Sequence, residues 1–215
     1  MQSKLVMYIC SLLLNGVIPS IPFLIKRTNY IAGIISFCCG IVHCIAMAII
    51  SRYNTQLQQL RTEFKQNTTD PDKLLVTMLM VLKLVYCITA GLSATISFRF
   101  IIIGTIVRLL GIAIRFWALK VNTFLATTVC IQKGHKVIDS GPYSIVRHPF
   151  YSGVTFEYLS ISFLFGSAIS LILFLAFEAT LVMRIHYEEK TLKKELDGYE
   201  EYSRKVRYKL IPLIF

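Results

Sequence analysis

Apolar residues fall into four long runs over the first 120 positions, Leu5 to Ile25, Tyr30 to Ile50, Leu74 to Ile96 and Phe100 to Leu119. Each is about as long as the ~20 residues a helix needs to cross hydrocarbon. Polar and basic residues collect between the runs, so the pattern predicts four transmembrane helices. Residues 151 to 197 read as a helical hairpin, with a short apolar arm from Tyr151 to Phe165, a turn at Gly166 and Ser167, and a longer arm that runs on past the membrane. At ~1.5 Å per residue the short arm covers only about 22 Å, so it is expected to dip into the ~30 Å hydrocarbon core or to cross it incompletely. The tail from Glu188 to Arg207 is charged and helical in composition, and Pro212 is expected to end it. The expected fold is therefore an all-α integral membrane protein of four transmembrane helices plus a C-terminal helical hairpin. Residues 1–119 form the transmembrane scaffold and residues 120–215 the region that carries chemistry.

Composition agrees with this class. Of 215 residues, 55% are apolar and 16% charged, against roughly 25% charged in soluble domains. The net charge of +11 would suggest nucleic acid on a soluble protein. Here the basic residues border apolar runs, which points to anionic lipid headgroups and excludes nucleic acid as the expected partner. Sorted by segment, 17 basic residues fall on the side of the N-terminus, three on the other side and three, Lys83, Arg108 and Arg115, within helices. The positive-inside rule then predicts a multi-pass protein whose N-terminus and C-terminal region are cytoplasmic. The sequon at Asn67 would face the cytoplasm and stay bare.

Lys4 precedes an apolar run as in a signal peptide, yet Asn15 to Ser20 offers no small-residue cleavage site, so this segment is expected to stay as a first helix. No prenylation signal occurs at Leu213-Ile214-Phe215. The six cysteines include no CxxC pair, and five of them, Cys10, Cys38, Cys39, Cys44 and Cys87, lie in apolar runs as small buried hydrophobes. No two of the 11 glycines are separated by a single residue, which rules out the GxGxxG loop of soluble nucleotide-binding folds.

Ionisable groups inside a membrane helix are costly and mark functional-site candidates. Gly104, Arg108, Gly111 and Arg115 share one helical face, a stripe that should meet other helices. On the antiparallel arms of the hairpin, positions whose numbers sum to 335 lie at one depth, which pairs Tyr151 with Arg184 and Glu157 with Glu178. Lys83, Arg108 and these glutamates read as an ion-pair network that fixes packing or as the lining of a polar cavity. Arg115 is expected to snorkel to the cytoplasmic surface, and His43 to be a hydrogen-bonded core residue.

The segment from Val121 to Phe150 is long for a connection in a small membrane protein, and such loops are usually functional or disordered. It holds His135-Lys136-Val137-Ile138, then Ser140-Gly141-Pro142-Tyr143, then Arg147-His148-Pro149-Phe150-Tyr151-Ser152-Gly153. Arg184, Glu188-Glu189 and Tyr199-Glu200-Glu201-Tyr202 follow. Taken alone, Tyr143, Arg147 and Tyr151 could be headgroup anchors.

In this order and spacing, over about residues 110 to 212, the strings resemble the isoprenylcysteine carboxyl methyltransferase family, especially its compact prokaryotic members. Methyltransferases of phospholipids and phenolic lipids, and NADPH-dependent sterol reductases, carry strings similar to Arg147-His148-Pro149-Phe150-Tyr151. The resemblance implies a membrane enzyme that binds S-adenosylmethionine in the cytoplasmic segment under the tail and takes a lipidic or prenylated acceptor from between helices, with no metal. It implies cofactor contacts from His135, Lys136, Val137 and Ile138, largely through backbone, from Tyr143, and from His148, Pro149, Phe150 and Tyr151. Glu188 would bind the cofactor, with Glu189 able to exchange roles with it, and Arg184 would position the substrate carboxylate. Near Cys130 the sequence departs from a polar position of the family, and no contact is assigned there. The alternatives are methylation of a phenol or amine, which would give His148 or a glutamate the role of base, an NADPH reductase, opposed by the charge of Glu188-Glu189, or a transporter built on Lys83, Arg108, Glu157 and Glu178.

Overall fold

The computed structural model describes residues 17, 20, 30–53, 70–95, 98–125, 129, 131 and 134–215. These form six α-helices: α1 (Tyr30–Tyr53), α2 (Asp70–Leu92), α3 (Phe98–Val121), α4 (Pro149–Phe165), α5 (Ala168–Glu195) and α6 (Tyr199–Lys205). A 3-10 turn at Gly141–Ser144 precedes α4, and no strand occurs among the described residues. The expected first helix, Leu5 to Ile25, lies outside the described residues apart from positions 17 and 20. Asp70–Leu92, Arg99–Val121 and Ala168–Glu195 are long and apolar enough to cross a membrane. These helices make the protein an integral membrane protein, and the second hairpin arm is among them. Helix α4, with 17 residues, spans about 26 Å and is the short arm expected from the sequence.

The glycine stripe of α3 meets α4 as its spacing requires. A Cβ at Gly111 would sit 2.7 Å from the Glu157 amide nitrogen and from the Gly153 carbonyl oxygen, and one at Gly104 would sit 2.7 Å from the Leu164 amide nitrogen. The two backbones are thus in contact, which only glycine permits, and dispersion between them is the main force joining helices in lipid. Hydroxyl groups tie the remaining elements. Tyr86 on α2 donates to the Tyr158 carbonyl at 2.6 Å and lies 2.7 Å from the Ser162 hydroxyl of α4, whose oxygen in turn accepts from Ser170 of α5 at 3.0 Å. Gly166 closes α4 at φ +57° in the left-handed region, and its carbonyl accepts from Thr95 after α2. This end of the bundle is therefore pinned, and the cavity described below opens at the other.

Two expectations are corrected. Arg115 does not snorkel: Nη1 donates to both Glu157 oxygens at 2.9 Å, and its guanidinium lies 4.8 Å from the Phe150 ring centroid. The close approach of α3 and α4 puts a carboxylate within reach, and a buried bidentate partner outcompetes the more distant water. Glu157 is also 3.9 Å from His43 Nδ1, so the histidine joins this cluster across helices. The charged tail is not one helix ending at Pro212. It breaks at Leu196–Gly198, where Gly198 takes φ +79°, and α6 ends at Lys205 because the Arg147 guanidinium takes up the next carbonyls, at 2.6 Å from Val206 and 2.9 Å from Arg207.

Candidate functional site

The long loop after α3 folds against α5 and α6 to enclose a cavity of about 240 Å3, close to the ~300 Å3 at which small-molecule sites usually begin. Gly141, at φ +59°, lies where a Cβ would press on Val121 and Trp117. It starts the 3-10 turn that buries Pro142 and Tyr143. Tyr202 of α6 donates to the Tyr143 carbonyl at 2.7 Å, while Leu196, Tyr199, Tyr202 and Val206 pack on Val137 and Leu192. The tail therefore caps the loop through apolar contact as well as hydrogen bonds.

Arg147 organises this cap. Its side chain is buried, paired with Glu189, and donates to the carbonyls of Val206, Arg207 and Ser203. Its amide donates to Tyr208 and that of His148 to Lys209, each at 2.9 Å. Glu189 also faces His148 Nε2 at 3.4 Å and Lys209 Nζ at 3.2 Å. Glu189 is absent from the cavity wall, whereas Glu188 is on it and accepts from the Tyr151 hydroxyl at 2.6 Å. The two adjacent glutamates thus have different surroundings, one closing a charge cluster under the tail and the other facing the cavity.

Of the residues singled out from sequence, His135, Lys136, Val137, Ile138, Tyr143, His148, Phe150, Tyr151, Arg184 and Glu188 line this one cavity. Pro149 does not. It is buried as the first residue of α4, where a fixed φ and a missing N–H suit the helix start. Arg184 lies with its guanidinium 5.7 Å from the Tyr151 ring centroid, the depth match that the hairpin sum requires. Its Nε donates to Asp72 at 3.1 Å. Sequence reasoning missed Asp72, the α2 wall at Val76 and Met80, and the lining residues Asn122, Phe124, Tyr199 and Tyr202. The Tyr199-Glu200-Glu201-Tyr202 string was the available signal for the last two.

The lining chemistry suits a ligand that is part aromatic and part polar. Phe124 stacks on the His135 ring at 4.6 Å. Burial lowers the His135 pKa, opposed by the charge of Glu188, so the ring is neutral at pH 7. Burial also raises the Tyr143 pKa, with the Asn122 side chain partly opposing it, so this phenol stays protonated. His135 Nδ1 and the Tyr199 hydroxyl are buried with no hydrogen-bond partner among the described residues, and each belongs to a residue of the cavity wall. Buried polar groups are rarely left so. Orphaned polar atoms, aromatic faces and one carboxylate fit S-adenosylmethionine, which carries an adenine, a ribose diol, an amine and a sulfonium. No group of three or more His, Cys, Asp or Glu that could hold a metal ion occurs among the described residues.

An 83-residue stretch is 32% identical to a Bacillus subtilis (strain 168) protein named "Uncharacterized protein YpbQ", covering 38% of this chain and 49% of that one. The chain thus spans about half the length of this curated relative. Residues 102–194 match the isoprenylcysteine carboxyl methyltransferase (ICMT) family. That match runs from α3 through the loop and hairpin to the end of α5, and takes in every lining residue named from sequence. Residues 102–194, which build most of the cavity wall, are thus the part of the chain that is similar to the isoprenylcysteine carboxyl methyltransferase family.

Proposed function

We propose that this protein is an S-adenosylmethionine-dependent membrane methyltransferase that esterifies a lipidic carboxylate, with a prenylated C-terminal cysteine as the leading acceptor. The observation that carries the reading is one cavity in which Tyr151 meets both Glu188 and Arg184, a carboxylate for the cofactor at its hydroxyl and a guanidinium for the acceptor over its ring. When bound, S-adenosylmethionine supplies a methyl group on a sulfonium, and the new C–O bond forms as the S–CH3 bond breaks with its electron pair left on sulfur. An α-carboxyl group has a pKa of about 3.5 and is already the nucleophile at neutral pH. The chain need not remove a proton. Its residues have to orient the acceptor oxygen and exclude water, and near-attack geometry alone contributes several kcal/mol to such a step.

Arg184 would grip the acceptor carboxylate in a charge-assisted pair. Glu188 would complement the cofactor's amine or hydroxyls, its own geometry held by the Tyr151 hydroxyl. The rings of Tyr143, Phe150 and Tyr151 would keep water from the reacting atoms. The catalytic segment and the tail that caps it would face the cytoplasm, following the basic-residue bias.

An NADPH reductase is disfavoured on a specific contact. Of the two cations that could offset the repulsion between Glu188 and a phosphorylated dinucleotide, Arg147 is committed to Glu189 and to three tail carbonyls, which leaves Lys136 on the cavity wall for that role. The transporter reading is weakened because three members of its polar cluster have packing contacts: Glu157 is held by Arg115, Glu178 Oε2 accepts from Thr155 at 3.0 Å and Lys83 lies over the Tyr158 ring. The test is an acceptor screen with purified protein and labelled S-adenosylmethionine. Base-labile label on an S-prenylated cysteine is expected; base-stable label on a phenol or an amine instead would refute carboxyl methylation while keeping methyl transfer.

A further inference from the structure

Asp72, in the first turn of α2, is 0% exposed and lies outside the stretch that matches the family. A buried carboxylate is costly unless it is paired and hydrogen-bonded, and both oxygens of Asp72 are engaged. Oδ1 accepts from Arg184 Nε at 3.1 Å and Oδ2 from the Val129 amide at 3.0 Å. Both partners line the cavity while Asp72 itself does not. Val76 and Met80, four and eight residues on, share its face of α2 and form part of the wall. One carboxylate thus ties together two parts of the site, the guanidinium on α5 and the loop backbone after α3, from a third element.

We propose that Asp72 is a positioning residue for the methyl acceptor, which holds Arg184 by Nε so that its guanidinium plane is set against the cavity before the acceptor binds. The proposal rests on the methyltransferase reading above. An arginine side chain has large rotamer freedom, and an acceptor that met it unrestrained would have to order it on binding. The Asp72 contact fixes one edge and the Tyr151 ring, 5.7 Å away, limits one face. Asp72 also offsets the buried charge of Arg184, which lets the guanidinium reside in the wall when no carboxylate is present.

The experiment is a mutant cycle in purified full-length protein, with S-adenosylhomocysteine as the cofactor-site probe and N-acetyl-S-farnesylcysteine as the acceptor probe. Asp72→Asn is expected to lower kcat/KM for the acceptor by about tenfold or more, the loss typical of one charge-assisted contact, while the S-adenosylhomocysteine Kd stays within about twofold. The double variant Asp72→Asn with Arg184→Gln is expected to be no worse than Arg184→Gln alone, the non-additivity of residues that act as one unit. Hydrogen exchange at the Val129 amide should quicken in Asp72→Asn, a readout independent of turnover. Asp72→Glu, which keeps the charge but displaces it by one methylene, should fall between the two and takes the place of Asp72→Asn if that variant does not fold. Unchanged kcat/KM in the variant that folds, strictly additive losses in the double variant, or a parallel loss of S-adenosylhomocysteine affinity would overturn the proposal alone. Failure of the unmodified protein to bind S-adenosylhomocysteine would overturn the underlying methyltransferase reading and the positioning role with it.

Discussion

Replacing Arg184 by alanine is expected to reduce methyl transfer by about 10²-fold or more while cofactor affinity changes less than about threefold. Truncating one partner of a buried charge pair costs ~2–5 kcal/mol at the contact it serves, and each 1.36 kcal/mol is a factor of ten in rate. Arg184 also neutralises Asp72, so alanine leaves a fully buried carboxylate unpaired at a stability cost of about 3–5 kcal/mol. Arg184→Gln separates the two effects, because an amide can still donate to Asp72 but cannot grip a carboxylate as an ion. The glutamine variant should therefore melt closer to the unmodified protein than the alanine variant does, yet be similarly inactive. The two measurements are acceptor turnover and thermal unfolding in one detergent. Equal loss of S-adenosylhomocysteine binding in Arg184→Gln would contradict the assigned role.

The second large effect is on the cofactor side. Glu188→Ala is expected to weaken S-adenosylhomocysteine binding by about 10- to 100-fold, corresponding to a charged hydrogen bond of ~1.5–3 kcal/mol. Glu189→Ala should act differently, because Glu189 closes a cluster with Arg147, His148 and Lys209 and is off the cavity wall. Removing it strands the Arg147 charge under the tail and should lower the melting temperature more than Glu188→Ala does. Calorimetric titration and a melting curve on each variant read both quantities. Undiminished affinity in Glu188→Ala would move the cofactor contact elsewhere on the wall.

The contrast between Glu188 and Glu189 shows where the sequence stops being informative. Side by side in the chain, they are interchangeable to any motif. Only the rotation of α5 against the loop sends one to the cavity and the other to Arg147. What could be read in advance was periodic: the apolar runs that form α1, α2 and α3, the glycine face of α3, and the antiparallel sum that sets Tyr151 beside Arg184. Those features repeat at a fixed helical rise, so spacing alone specifies them. The corrected features depend on tertiary approach. Arg115 stands at a depth from which it could reach the surface, and only the contact of Gly111 with Gly153 brings Glu157 close enough to capture it. Asp72 reads as an ordinary acid ahead of an apolar run, and nothing local ties it to a residue 112 positions away. The break at Leu196–Gly198 was hidden because the flanking charges favour helix on both sides, and the Asp197-Gly198 pair is the short local mark of the turn.

The family match covers the loop and hairpin, while α2 and α6, which complete the cavity, lie beyond it. The central claim is that these pieces together form a binding site for S-adenosylmethionine. It is tested most directly by titrating purified protein in detergent with S-adenosylhomocysteine and, separately, with NADPH. Saturable 1:1 binding of S-adenosylhomocysteine that Glu188→Ala weakens, with no binding of NADPH, is the predicted result; binding of NADPH without S-adenosylhomocysteine, or of neither, would contradict the account.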